Sequence, residues 1–310
     1  MAVLLQKALF RAGAMTRAAD NKMEQHDQYP ITLVTAYFEL GGKPGLEKNP
    51  YPGWLRNLLP HVRWPLVIFC DEQSLDMLRE ARGDKPAVWH VTRPEEFYAY
   101  RYLDDLKRMS FPVEYGASFT REAFVTRSLV WHEKHHFLQQ AMSENPFGSE
   151  MFFWCDIGIS KWSPDAPWWA ARRMMFRLFE DTEWPNLRVC RALPQDKVIL
   201  VASTFAGGSH FTAQFFGGAV EPSRRWCDAY YHRLEKRKQN GSFSVTEEWV
   251  MVSCWKRRQE LAHVILPDSV PYMGLLAGGR RRVDYKWYFL NGRRFPWRYF
   301  FRRPFSGLAR

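Results

Sequence analysis

The chain has few cysteines and no paired ones. Cys70, Cys155, Cys190, Cys227 and Cys254 are odd in number and scattered, with no CxxC spacing. This argues against a disulfide scaffold and a structural zinc site, and it fits a reducing compartment. Long hydrophobic runs are also missing: no stretch reaches the ~18 apolar residues of a membrane span. The opening MAVLLQKALFRAGAMTRAAD has an apolar run too short and too interrupted for a secretory signal. An amphipathic helix, a disordered lead or a basic transit peptide remain as readings of residues 1–28. There is no internal repeat and no low-complexity linker. Acidic residues are scarce at the other end. Residues 278–310 hold ten Lys or Arg and a single acid, Asp284, so most of the net charge of +11 sits there. The rest of the chain is close to neutral.

What is present describes a globular protein. Of 310 residues, 46% are apolar and 25% charged, enough for a sizeable core. Aromatics are abundant, with 14 Trp, 13 Tyr and 23 Phe. Such side chains pack cores, and Trp and Tyr also line carbohydrate sites and membrane interfaces.

Apolar runs rich in β-branched and aromatic residues predict strands at 31–38, 64–70, 87–91, 151–160, 198–202 and 214–216. Helical spacing predicts helices at 51–62, 72–82, 120–142, 230–239 and 247–258, with Asn145-Pro146 ending the third. Strands alternating with helices, and strands apolar on both faces, predict an α/β fold around a mixed, mostly parallel central sheet.

In open α/β sheets ligands bind beyond the carboxyl ends of the strands. Thr35 and Tyr37, Asp71 and Asp156 all fall there. The segment MFFWCDIGIS (151–160) is the most pointed case, because it drives a carboxylate into the end of a hydrophobic strand. Such an acid can bind a nucleobase N–H or a divalent metal. It can equally cap the next helix or pair with a Lys or Arg. The segment FAGGSHFTAQFFGG (205–218) sets two glycine pairs around a strand, with His210 between them. It is neither GxGxxG nor a P-loop, so it implies no dinucleotide or ATP site, and tight turns are the plain reading. Glu247 and Glu248 open a helix, where the dipole favours negative charge and simple capping is the plain reading.

Taken in order, TLVTAYFEL (32–40), PLVIFCDE (65–72), HEKHHFL (132–138), FFWCDIGI (152–159), FTAQFFGG (211–218) and EEWVM (247–251) resemble the HtrL/YibB-type (WlaTC/HtrL) family of glycosyltransferases. The resemblance spans about residues 30–265. It implies a GT-A-like nucleotide-diphospho-sugar transferase fold, and transfer of a sugar from a nucleotide-sugar donor to a glycan or lipid-linked acceptor in surface polysaccharide or lipopolysaccharide assembly. It implies that Thr35, Tyr37 and Asp71 face the nucleoside and that Lys134 lies near the phosphates. It also implies that Asp156 is the metal-binding acid and that Gly158, Phe215, Phe216, Gly217 and Gly218 line the sugar and acceptor site. Glu247 or Glu248 would then stand by the reacting carbon. The chain departs from the Asp-x-Asp of many such enzymes, carrying Asp156-Ile-Gly158. With Mn²⁺ or Mg²⁺ as cofactor, His210, another carboxylate, or pyrophosphate and water would complete the shell.

The domain plan expected is a lead (1–28), a catalytic domain (29–270) and a basic-aromatic extension (271–310). In that extension ten aromatics interleave the basic residues of 278–310. This suits an anionic membrane surface, and so a cytoplasmic enzyme peripheral to a membrane. Nucleic-acid binding and simple packing against the catalytic domain are the rivals. The rival function is a non-catalytic membrane- or nucleic-acid-binding protein on the same scaffold. A glycoside hydrolase would need two facing carboxylates and no nucleotide.

Overall fold

The computed structural model describes residues 29–40, 51–110, 120–160, 184–203 and 210–265. The lead, the basic-aromatic extension and the first glycine pair, Gly207-Gly208, lie outside the described residues. Seven strands form one sheet: β1 (Ile31–Tyr37), β2 (Leu66–Cys70), β3 (Ala87–Val91), β4 (Met151–Cys155), β5 (Val198–Ser203), β6 (His210–Ala219) and β7 (Ala262–Ile265). Their order is β3-β2-β1-β4-β6-β5-β7. β1 pairs in parallel with both β2 and β4, β2 with β3, and β5 with β7. Only β6 runs the other way, antiparallel to β4 and β5. The α/β class and the mixed, mostly parallel sheet are thus as expected. The order changes direction between β1 and β4, and open α/β sheets bind ligands beside such a switch point.

Seven helices are described: α1 (Tyr51–Leu58), α2 (Leu75–Arg82), α3 (Leu103–Arg108), α4 (Arg121–Glu144), α5 (Leu187–Ala192), α6 (Val220–Gln239) and α7 (Glu247–Trp255). The central strands are buried on both faces because helices cover both sides. On one face Val34, Val67, Phe152, Trp154, Leu200 and Phe216 meet α4, α6 and α7. On the other, Ile31, Leu33, Ile68, Phe153 and Phe215 meet α1, α2 and α5. Neighbouring residues of MFFWC therefore enter different cores, which is why the whole run is apolar. All five cysteines are reduced and buried. No helix among the described residues is long and apolar enough to cross a membrane.

Helix α4 shows how sequence sets its limits. Thr120 caps its start by accepting the Ala123 N–H at 3.2 Å. Asn145 ends it in the left-handed conformation, φ 39°. Between these caps the helix carries buried polar side chains, and most have partners. His132 bridges the Tyr230 hydroxyl (2.7 Å) and the Ser244 carbonyl (2.8 Å). Burial pushes its pKa down to about 4, so it is neutral at pH 7. The Glu133 carboxylate accepts the Tyr98 and Ala99 N–H groups at 2.9 and 2.7 Å, capping the 3₁₀ turn Tyr98–Tyr102. His135 is sandwiched between the rings of Tyr230 and Phe216, with centroid distances of 3.6 and 4.6 Å. The histidines of HEKHHFL are therefore core or core-edge residues, and the single lysine among them reaches the site described below.

Arg82 is the other buried polar anchor. One terminal nitrogen of its guanidinium donates to the Leu59 and Val62 carbonyls, and the other to those of Trp64 and Pro86, all within 3.0 Å. It thereby ties α2 to the turn that leads into β2. Burial lowers its pKa to about 10, so it remains charged at pH 7. Replacing it with Met is expected to leave the Leu59, Val62 and Trp64 carbonyls unpaired in the interior, while the Pro86 carbonyl keeps the Leu66 N–H. Each such loss costs ~1–3 kcal/mol, so a decrease of at least about 3 kcal/mol is expected from the urea midpoint. An unchanged midpoint would show that the carbonyls find other donors.

Candidate active site at the carboxyl edge of the sheet

The site begins where β4 ends. Asp156 follows Cys155, and its own N–H still donates to the Gln214 carbonyl of β6 at 2.8 Å, which fixes the backbone. Its Oδ1 accepts the Gly158 N–H at 2.8 Å, so Asp156 and the next two residues form a tight turn. A side chain at 158 would put its Cβ 3.0 Å from Asp156 Oδ1. Glycine there leaves the carboxylate room and keeps the turn close to the Gln214 and Trp54 side chains, 3.8 and 3.9 Å from where that Cβ would lie.

Asp156 Oδ2 lies 2.9 Å from Lys134 Nζ, and the same ammonium lies 2.6 Å from Glu247 Oε1. A longer contact of 3.4 Å reaches the Ala213 carbonyl. α4 supplies the lysine, β4 one acid and the first turn of α7 the other. The Lys134 and Glu247 side chains are 5% and 6% exposed, whereas Asp156 is 25% exposed. The pair is therefore dry and Asp156 forms its open lip. Burial alone would lower the lysine pKa, but Asp156 and Glu247 outweigh it and hold the ammonium above the usual lysine range.

Glu248 completes the cluster. Burial and the neighbouring Glu247 charge raise its pKa to about 7, against the opposing pull of Lys134 and of the Ala213 N–H. The favourable field at the start of α7 does not overcome these two effects. Two adjacent acids on one helical turn thus differ in role. Glu247 is ion-paired with Lys134, and Glu248 is poised to gain or lose a proton near neutrality. Next to them Trp249 is 48% exposed.

Asp156, Lys134, Glu247 and Glu248, each singled out from sequence, are therefore brought together, with Gly158 beside them. The other site expectations fare differently. Lys134 does not stand ready for phosphates, because its three N–H groups already have acceptors and it is almost fully buried. Asp71 follows the capping reading: its two oxygens accept the Ser74 and Glu39 N–H groups at 2.8 and 2.6 Å. Thr35 is completely buried in β1, and its hydroxyl has no hydrogen-bond partner among the described residues. Tyr37 lies at the end of β1 at the switch point and donates its hydroxyl to Glu39 at 2.7 Å. Phe215 and Phe216 are buried in opposite cores rather than lining a site. Gly217 and Gly218 pair with Phe153 and Phe152, farther back along β4 than Asp156. The His210 side chain lies outside the described residues.

No protein-family model and no curated protein matches this chain.

The donors of the cluster suit an ammonium better than a divalent cation. Among the described residues no group of three or more His, Cys, Asp or Glu side chains is arranged to hold one. Asp156 and Glu247 are the oxygen donors that converge, and both already bind an ammonium. A divalent ion on the same oxygens would face that positive charge at short range. The described residues therefore do not fit a resident Mg²⁺ or Mn²⁺.

One part of the cluster gave no signal in the sequence. The role of Ala213 is carried by its backbone, whose C=O and N–H face Lys134 and Glu248 respectively. A backbone role of this kind leaves no mark on residue identity.

Proposed function

We propose that this chain is a glycosyltransferase that moves a sugar from a nucleotide-sugar donor to a glycan or lipid-linked acceptor in surface polysaccharide assembly. The observation that carries the proposal is the Asp156–Lys134–Glu247 ion cluster with Glu248 beside it, at the carboxyl edge of a mostly parallel sheet. Two further features support it. The sheet is compatible with a GT-A-like nucleotide-diphospho-sugar transferase fold. The residues of the cluster also fall within the HEKHHFL, FFWCDIGI and EEWVM segments that resemble the HtrL/YibB-type family.

In the proposed reaction Glu248 accepts the proton of the acceptor hydroxyl as that oxygen attacks the sugar carbon, and the bond from that carbon to the nucleotide's phosphate oxygen breaks, so that the nucleotide leaves with the electron pair. A carboxyl with a pKa near the working pH suits this task. Asp156, at the open lip, stabilises positive charge growing on the sugar ring. Lys134 bridges Asp156 and Glu247 and fixes both in place. The exposed face of Trp249 offers an apolar surface of the kind that sugar rings stack on.

The test is turnover. The chain is incubated with UDP-, GDP-, dTDP- and CMP-linked sugars, and nucleotide release is followed. One donor is expected to be consumed. The kcat/KM profile should rise with pH through about 7, because only the ionised Glu248 can accept a proton. Nucleotide binding without turnover by any donor would favour the non-catalytic reading.

A further inference from the structure

Asp156 and Glu247 already share a cation. Lys134 Nζ sits 2.9 Å from one and 2.6 Å from the other, in a pocket that leaves the ammonium 5% exposed. Three elements converge on it, and each depends on distant parts of the chain: the Lys134–Glu247 contact joins residues 113 apart. The ammonium also has a third acceptor, the Ala213 carbonyl, and lies 5.7 Å from the centre of the Trp154 ring. A mobile surface lysine has no such enclosure. The glycine two residues after Asp156 closes the turn on the acid's other oxygen, where an Asp-x-Asp motif would supply a second ligand.

We propose that the Lys134 ammonium is the resident cation of this centre, standing where a divalent metal ion would otherwise bridge Asp156 and Glu247. The inference deepens the glycosyl-transfer reading and rests on it for its catalytic meaning. A +1 ammonium between two carboxylates leaves the trio with a net charge of −1. A divalent ion in its place would leave them neutral. The built-in cation thus preserves negative potential at the lip, which suits an acid that faces a positively charged sugar centre. It also explains why one carboxylate suffices after β4: the second carboxylate comes from α7.

The probe is Mn²⁺ alone, followed by electron paramagnetic resonance on the full chain. The wild-type chain and Asp156→Asn are expected to show the same Mn²⁺ signal, with no ion bound at Asp156. Lys134→Ala exposes both carboxylates to an incoming ion. It is expected to bind one Mn²⁺ per chain, at least about tenfold tighter than wild type, and to lose this binding when combined with Asp156→Asn. Wild-type binding that disappears in Asp156→Asn would overturn the proposal. So would a folded Lys134→Ala that binds no tighter than wild type. If Lys134→Ala does not fold, the comparison of wild type with Asp156→Asn decides alone. Turnover adds a separate arm. Turnover lost in EDTA and restored by Mn²⁺ would overturn the metal-free centre while leaving glycosyl transfer standing. No turnover with any donor would sink glycosyl transfer and leave the Mn²⁺ comparison intact.

Discussion

Glu248→Gln is expected to lower turnover by about 10²–10⁴-fold, the usual contribution of a positioned proton acceptor. Glutamine keeps the size and hydrogen-bonding shape of the acid, so KM should change far less than kcat. The pH limb near 7 should flatten as well, since the group that titrates there is gone. Stability gives a second readout with the opposite sense. A carboxyl whose folded pKa is raised above its unfolded value of 4.5 supports the fold fully below that value. The support is lost as pH climbs through about 7. Glu248→Gln should therefore resist urea better than wild type at pH 8 and match it near pH 4. Normal turnover in the folded variant would remove Glu248 from the reaction. A stability gain without loss of turnover would mark it as a strained acid with no chemical task.

The largest structural effect is expected from Gly217→Ala. Gly217 has φ 146°, and a Cβ there would lie 2.1 Å from the Phe152 carbonyl oxygen and 2.7 Å from Phe153 Cα. Both are backbone atoms of β4, the strand at the centre of the sheet. They cannot step aside as a flexible side chain would. The clash can be relieved only by prising β6 from β4, which would also pull the Gln214 carbonyl from Asp156. The cost is expected to reach roughly 5 kcal/mol, comparable to the whole stability of many domains. The variant should accumulate as insoluble chain, or as soluble chain without a cooperative urea transition. Gly218→Ala is the control. Its nearest outside neighbour, the Lys197 carbonyl oxygen, is 3.4 Å away, so steric overlap is small and the penalty comes mainly from its φ of 153°. Equal behaviour of the two variants would show that strand spacing is not the reason for glycine at 217.

The same glycine hides the length of β6 in the sequence. Gly217-Gly218 looks like a turn, because glycine pairs usually mark turns, and so β6 was expected to span only 214–216. The strand instead runs from His210 to Ala219, since glycine is what lets two backbones approach. α6 was likewise expected to start at Tyr230 but begins at Val220. Pro222 and two neighbouring arginines disguise its first turns, where proline is tolerated. β7 and the short helices α3 and α5 carry too few residues for a periodic pattern. Strands β1, β2 and β4 were legible because burial on both faces writes itself as an unbroken apolar run. In the site, the position of Asp156 followed from that run. The fate of Lys134 did not. A lysine in the middle of a helix looks solvated, and only the fold shows two acids from other elements closing over it. Asp71 was ambiguous for a related reason, since a carboxylate after a strand caps a helix and greets a ligand with the same residue.

The order of the strands has a consequence for how this protein is made. β1, β2 and β3 are neighbours in sequence and can associate while the rest of the chain is still unformed. The seam between β1 and β4 is different, for contacts beside it, such as Thr32 with Ser149, join residues 117 apart. Closing such long loops is slow. Lys134, Asp156 and Glu247 all come from the late side of that seam, and the last arrives only when α7 docks. Until then Lys134 and Asp156 lack the partner that balances their burial. The charged centre is therefore complete only once α7 has docked, and before that the chain can hold no more than the Lys134–Asp156 pair. Intermediates with the first half-sheet in place would expose the unpaired edge of β1, the surface most in need of protection during synthesis.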